Sequence, residues 1–87
     1  MKILVESGEH ISSITFPQQY LKDFKIVQFV PAPQNNYTSK HEIKYNFLPG
    51  QNLIVSIYLV PKNFGAVAGT MKVNETNSIQ LNHFIFP

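Results

Sequence analysis

The feature that most constrains the fold is a strict alternation of side-chain character between residues 40 and 47. One side of the alternation is apolar or aromatic apart from its first member, and it comprises His41, Ile43, Tyr45 and Phe47. The other side comprises Lys40, Glu42, Lys44 and Asn46. Successive side chains of a β-strand point to opposite faces, so this period of two predicts a half-buried strand.

Further strand signals recur along the chain and are separated by turn-forming residues. They lie at residues 3–5, 13–16, 25–30, 53–60, 70–73 and 79–86. The run at 53–60 is mostly apolar on both faces, which predicts a central strand covered on both sides. The segments 31–39 and 64–69 are rich in proline, amides or small residues and are predicted to be loops, with a polar turn at 74–78.

One helix is predicted, because Pro17 suits a first helical turn and Tyr20, Leu21 and Phe24 can share one apolar side of two turns. About seven strands and one short helix near residues 17–24 indicate an all-β fold. The expected architecture is a single domain, residues 1–87, built as a small antiparallel β-sandwich or barrel.

The polarity of the chain comes from amides rather than from charges. Eight Asn and six Gln stand beside seven Lys and five acidic residues, with no Arg, Cys or Trp. The net charge of +2 is too small for a dedicated duplex-DNA binder, and the lack of Arg weakens that function further.

Catalytic groups are sparse and scattered. The acidic residues show no pairing, no two His lie at an i,i+2 or i,i+4 spacing, and no Gly-x-Ser-x-Gly motif occurs. We therefore expect a protein that is not an enzyme and that carries no cofactor or metal.

Residues 1–6 hold too few apolar residues for the core of a signal peptide, and the run at 53–60 is far shorter than a membrane span. The sequence therefore predicts neither a leader nor a membrane-spanning segment. It predicts a cytoplasmic or virion-associated protein.

The leading functional prediction is a structural or interaction protein that forms a homo-oligomer or docks on a larger particle. Few charges keep neighbours apart, and the surface is rich in amides, which favours a viral or phage assembly or receptor-binding protein. Two contact surfaces are predicted. One is formed by Phe84 and Phe86 on the last strand, and the other is the loop that contains Asn35, Asn36 and Tyr37.

Two alternatives remain open at this point. Lysines interleave with aromatic residues between residues 20 and 45, a pattern typical of single-stranded nucleic-acid binding by Lys22, Tyr37, Lys40 and Lys44. The second alternative is a small inhibitor that binds a host protein, for which the sequence carries no specific signature.

Overall fold

The structure is a computed structural model of the chain, and it describes residues 1–48, 50, 53–63 and 65–85, with Phe84 and Ile85 described by their backbone alone. The described part contains eight strands and one short 3-10 helix. The strands are β1 (Lys2–Glu6), β2 (Ser13–Pro17), β3 (Phe24–Val30), β4 (Asn35–Thr38), β5 (Glu42–Asn46), β6 (Ile54–Pro61), β7 (Gly65–Val73) and β8 (Asn77–Ile85).

The strands form two antiparallel sheets that pack as a sandwich. The small sheet has three strands in the order β1-β6-β3, and the large sheet has five in the order β4-β5-β2-β7-β8. Side chains of both sheets meet in one core that includes Phe16 of β2, Phe29 of β3 and Ile57 of β6. The predicted all-β sandwich is confirmed.

The predicted helix near residues 17–24 is reduced to a 3-10 turn at Tyr20–Lys22. Its backbone bonds run from Lys22 N to Gln19 O at 3.3 Å and from Asp23 N to Tyr20 O at 3.2 Å. Strand β2 ends at Pro17 and β3 begins at Phe24, so the six residues between them are too few for the two predicted α-helical turns.

The segment 31–39 was predicted to be a loop, and this prediction was wrong because β4 forms inside it. Strand β4 pairs with β5, so that Asn36 lies opposite Tyr45 and Tyr37 lies opposite Lys44. Asn46 Nδ2 also donates to Asn35 Oδ1 at 2.9 Å. Pairing with a neighbouring strand overrides the low intrinsic strand preference of asparagine.

The loop predicted at residues 64–69 was wrong for a related reason, since β7 already begins at Gly65. Glycine is needed at position 69 of this strand, because a Cβ added there would lie 2.7 Å from Tyr20 Cδ1. Strand β8 likewise begins earlier than predicted, at Asn77. Asn74 and Glu75 have positive φ angles of 55° and 59° in the turn between β7 and β8.

Strand β6 is the middle strand of the small sheet, as predicted, but only one of its faces is covered. Val55, Ile57 and Leu59 are buried in the core. On its other face Ile54 and Val60 are exposed and the residues between them are half-buried. The prediction that both faces are covered was therefore wrong for the described part of the chain, where no second layer lies over this face.

Tyr20 closes one end of the core. Its ring stacks on Phe16 and Phe24 at centroid distances of 5.8 and 5.0 Å. Its hydroxyl lies 2.8 Å from Nε2 of His83, which faces inward and is half-buried. Burial raises the pKa of Tyr20 to about 12 and also raises the pKa of Tyr45, because an ionised phenol is poorly solvated there.

Candidate functional site

The outer face of the small sheet exposes several aliphatic side chains. We call it the apolar face, and its exposed members are Leu4, Val27, Val30, Ile54 and Val60. Each of these side chains is about half exposed, from 47% for Val30 to 54% for Val27. Scattered exposed aliphatic residues are ordinary, but five on one small face form a patch that favours association.

Strand pairing places these aliphatic residues around polar ones, since Ser56 and the row formed by Lys2, Tyr58 and Gln28 lie between them. Leu4 and Val30 lie opposite Ser56 from its two sides, so Ser56 is the centre of the face. A β-bulge between Ile26 and Gln28 adds Val27 to β3 as an extra, exposed residue. In the sequence this face is indicated by residues 53–60, because both alternating sets of side chains in this run are mostly apolar.

The charges of the small sheet are segregated along its strands. Lys2 lies opposite Tyr58, with its ammonium 5.7 Å from the ring centroid, and Lys25 lies opposite Val60. Glu6 lies at the other end of the sheet, opposite Ile54. The apolar face therefore has a basic end and an acidic end.

The outer face of the large sheet is polar. A row of directly paired residues crosses it from β4 to β7, in the order Tyr37, Lys44, Thr15 and Lys72. The Tyr37 side chain is 68% exposed at one end of this row. Thr15, at its centre, is only 3% exposed.

A concavity of about 260 Å³ lies over this row. We call it the polar pocket, and its lining residues are Thr15, Tyr37, Ser39, Glu42, Lys44 and Glu75. Lys44 Nζ lies 3.3 Å from Glu75 Oε1, and Lys72 Nζ lies 3.4 Å from Glu42 Oε2. The two ion pairs make the pocket and its border close to neutral.

Thr15 Oγ1 is the only buried side-chain polar atom in the described part of the chain that has no hydrogen-bond partner. Buried hydroxyl groups are normally satisfied, because leaving one without a partner is costly. This oxygen therefore stands out as an unused donor and acceptor at the base of the polar pocket.

The acidic rim of the polar pocket is positioned by the turn between β7 and β8. Asn74 Oδ1 accepts from Ser12 N at 2.7 Å and from Ser13 N at 3.2 Å, and its Nδ2 donates to His10 O at 3.0 Å. These bonds fix the turn to the segment that enters β2. Glu75, which follows Asn74, is thereby held within reach of Lys44.

A second concavity, of about 440 Å³, lies beside the 3-10 helix. We call it the basic pocket, and its lining residues are Pro17, Gln18, Gln19, Lys22, Lys40 and His41. Gln18 holds the two sides of this pocket together. Its backbone N donates to His41 O at 2.8 Å, and its side-chain amide donates to Ser39 O. None of the described residues that line this pocket is acidic.

The residues predicted for nucleic-acid binding are divided between the two pockets. Lys22 and Lys40 line the basic pocket, whereas Tyr37 and Lys44 line the polar pocket, where Lys44 is paired with Glu75. Sequence reasoning missed Thr15, because the neighbours of Thr15 come from strands far away in the sequence.

The residues predicted for protein contact are only partly described. Asn35, Asn36 and Tyr37 are exposed on β4, at the edge of the large sheet. The backbone of Phe84 lies in β8 opposite Ala66, and Phe86 lies outside the described residues.

Within residues 1–48, 50, 53–63 and 65–85, no group of three or more His, Asp or Glu side chains is placed to hold a metal ion. The same residues include no helix long and apolar enough to span a membrane. Comparison with protein families, curated proteins and solved structures found no match to this chain.

Proposed function

We propose that the protein is a non-enzymatic interaction protein that associates with a second copy of itself through the apolar face. The observation that carries this proposal is β6, which is mostly apolar on both faces, whereas the described residues cover only one of them. A strand of this composition is normally buried on both sides. A partner that covers the second face completes the environment for which the strand is suited.

The charges of the face favour a second copy as that partner. In a two-fold symmetric pair each copy presents the same patch, so the patch must complement itself. If the two-fold axis lies in the interface and perpendicular to the strands, the acidic end of one copy meets the basic end of the other. Glu6 of each copy then faces Lys2 and Lys25 of the other copy, while the aliphatic side chains pack between them.

The face is smaller than most stable protein interfaces. Strands about 4.8 Å apart with a rise of about 3.3 Å per residue give this sheet a flat area of roughly 300 Å². Stable interfaces usually bury about 800 Å² on each partner. We therefore expect a reversible pair with a dissociation constant in the micromolar range or weaker.

Leu4→Lys is expected to weaken self-association by about tenfold or more, equivalent to about 1.4 kcal/mol, because it places a charge beside the centre of the face. Leu4 is 50% exposed, so the change should leave the monomer folded. The matched control is Ile79→Lys, which alters a 40% exposed aliphatic residue on the large sheet. Sedimentation equilibrium over a range of protein concentrations measures the dissociation constants.

A charge swap tests the orientation of the two copies. Glu6→Lys alone should weaken the pair, and the double variant Glu6→Lys/Lys2→Glu should recover part of the loss. The proposal is wrong if the wild-type protein remains monomeric at the highest soluble concentration, or if Leu4→Lys and Ile79→Lys behave alike.

A second candidate function, single-stranded nucleic-acid binding, is favoured by the basic pocket. Lys22 and Lys40 come from separate segments and line one concavity with His41 and without an acidic neighbour among its described lining residues. We expect Lys22→Ala/Lys40→Ala to reduce binding of a labelled deoxythymidine oligonucleotide and to flatten its salt dependence. Fluorescence anisotropy at low and moderate salt measures both, and absence of binding at low salt would remove this function.

A further inference from the structure

The polar pocket has the chemistry of a site for an uncharged ligand. Glu42 and Glu75 oppose an anion, and Lys44 and Lys72 oppose a cation. The same groups supply hydrogen-bond donors and acceptors close together, and Ser39 and Thr15 add hydroxyls. A ligand suited to this set carries no net charge and several hydroxyl groups.

Tyr37 adds a requirement for an apolar surface on that ligand. Tyr37 is 68% exposed and lines the pocket, so its ring is accessible to a ligand. A sugar ring presents C–H groups on one face and hydroxyls around its edge, so it can lie against an aromatic ring while its hydroxyls reach polar groups. Few other neutral ligands combine these two properties.

We propose that the polar pocket binds a neutral oligosaccharide. Tyr37 packs against the face of one sugar ring, while the carboxylates of Glu42 and Glu75 accept hydrogen bonds from its hydroxyls and Lys44 donates one. A sugar hydroxyl that enters the base of the pocket supplies the partner that Thr15 Oγ1 lacks. This function goes beyond self-association, since it uses the opposite side of the sandwich.

Access to Thr15 requires the side chains above it to move. The Lys44–Glu75 pair, which lines the same pocket, is at the surface, with side chains 33% and 56% exposed. Exposed ion pairs contribute little stability, so a ligand can displace this pair at small cost. The volume of about 260 Å³ fits one or two sugar rings, and a site of this size binds a single ring with millimolar affinity.

The test is a titration of the isotopically labelled protein followed by amide chemical shifts. The probes are maltotriose, cellotriose, N,N′,N″-triacetylchitotriose and an oligogalactoside, with a deoxythymidine oligonucleotide as the competing probe. We expect saturable shifts with at least one saccharide, confined to β2, β4, β5 and the turn at residues 74–76. Shifts with none of the saccharides, or shifts of this pocket with the oligonucleotide alone, would overturn the proposal.

Thr15→Val is the decisive variant, because it removes the hydroxyl and keeps the shape of the side chain. Loss of one hydrogen bond to the ligand is expected to weaken saccharide binding by roughly 3- to 10-fold. Its melting temperature should equal or exceed that of the wild type, because the hydroxyl has no partner in the free protein. A purely structural role for Thr15 would instead lower the melting temperature and leave binding unchanged.

Two further variants complete the design. Tyr37→Ala should abolish measurable binding, whereas Lys40→Ala, in the neighbouring basic pocket, should leave it unchanged. Leu4→Lys should also bind the saccharide normally, so failure of self-association and failure of saccharide binding are separate results. Equal binding by wild type, Thr15→Val and Tyr37→Ala would place the ligand elsewhere and refute the assignment.

Discussion

Tyr20→Ala is expected to lower the free energy of unfolding by about 3–5 kcal/mol, as for other large aromatic side chains removed from a core. The Tyr20 ring is 1% exposed and stacks between Phe16 and Phe24. For a chain of 87 residues the whole stability is roughly 4–13 kcal/mol, at about 0.05–0.15 kcal/mol per residue. The substitution therefore removes a large share of it, and urea denaturation followed by circular dichroism measures the loss.

Tyr20→Phe is the matched control for this prediction. It keeps the ring and removes the hydroxyl that lies 2.8 Å from His83 Nε2. His83 is half-buried and can turn to water, so the expected loss is about 1 kcal/mol. Tyr20→Leu serves in place of alanine if the alanine variant does not fold. Equal losses for Tyr20→Phe and Tyr20→Ala would show that packing of the ring is not the main contribution.

Gly69→Ala is expected to lower the free energy of unfolding by about 1–3 kcal/mol, as overpacking of a core does. The added methyl group would lie 2.7 Å from Tyr20 Cδ1 and 3.0 Å from Tyr20 Cβ. Replacing glycine usually gains about 0.4–1 kcal/mol by restricting the unfolded chain. The clash outweighs this gain, because the ring is held between Phe16 and Phe24 and cannot retreat freely.

A double-mutant cycle isolates this contact. In the Tyr20→Ala or Tyr20→Leu background, Gly69→Ala should cost little or become stabilising, because the ring it would strike is gone. Gly8→Ala is the matched control, since nothing lies within 4 Å of a Cβ added there. The contact is refuted if Gly69→Ala costs the same free energy with and without the Tyr20 ring.

Strands with a clear local sequence pattern were predictable. Strands that form only because a distant strand pairs with them were not. The alternation at residues 40–47 gave β5, whereas β4 and the first half of β7 consist of amides or small residues that are typical of loops. Asn35 and Gly69 lie in strands because β5 and β8 pair with them, and because Tyr20 requires space at Gly69. Such requirements arise only when the chain is folded.

The candidate sites follow the same division. Tyr37 and Lys44 were predicted as nucleic-acid contacts together with Lys22 and Lys40, and the structure places only the first two in the polar pocket. Thr15 could not be predicted, because its significance depends on β2 lying between β5 and β7. The apolar face was visible in the sequence as the second face of residues 53–60, but its exposure became evident only when the layers of the sandwich were known.

The outer faces of the two sheets point in opposite directions. This determines where a symmetric pair holds its ligand-binding sites. Two copies joined through the small sheets carry their large sheets on the two outer surfaces, facing away from each other. The two proposed saccharide sites of such a pair cannot contact one flat surface at the same time. The pair therefore gains no avidity on such a surface. If both proposals hold, the pair is a bivalent cross-linker that holds two sugar-bearing particles together at the distance of two sandwiches.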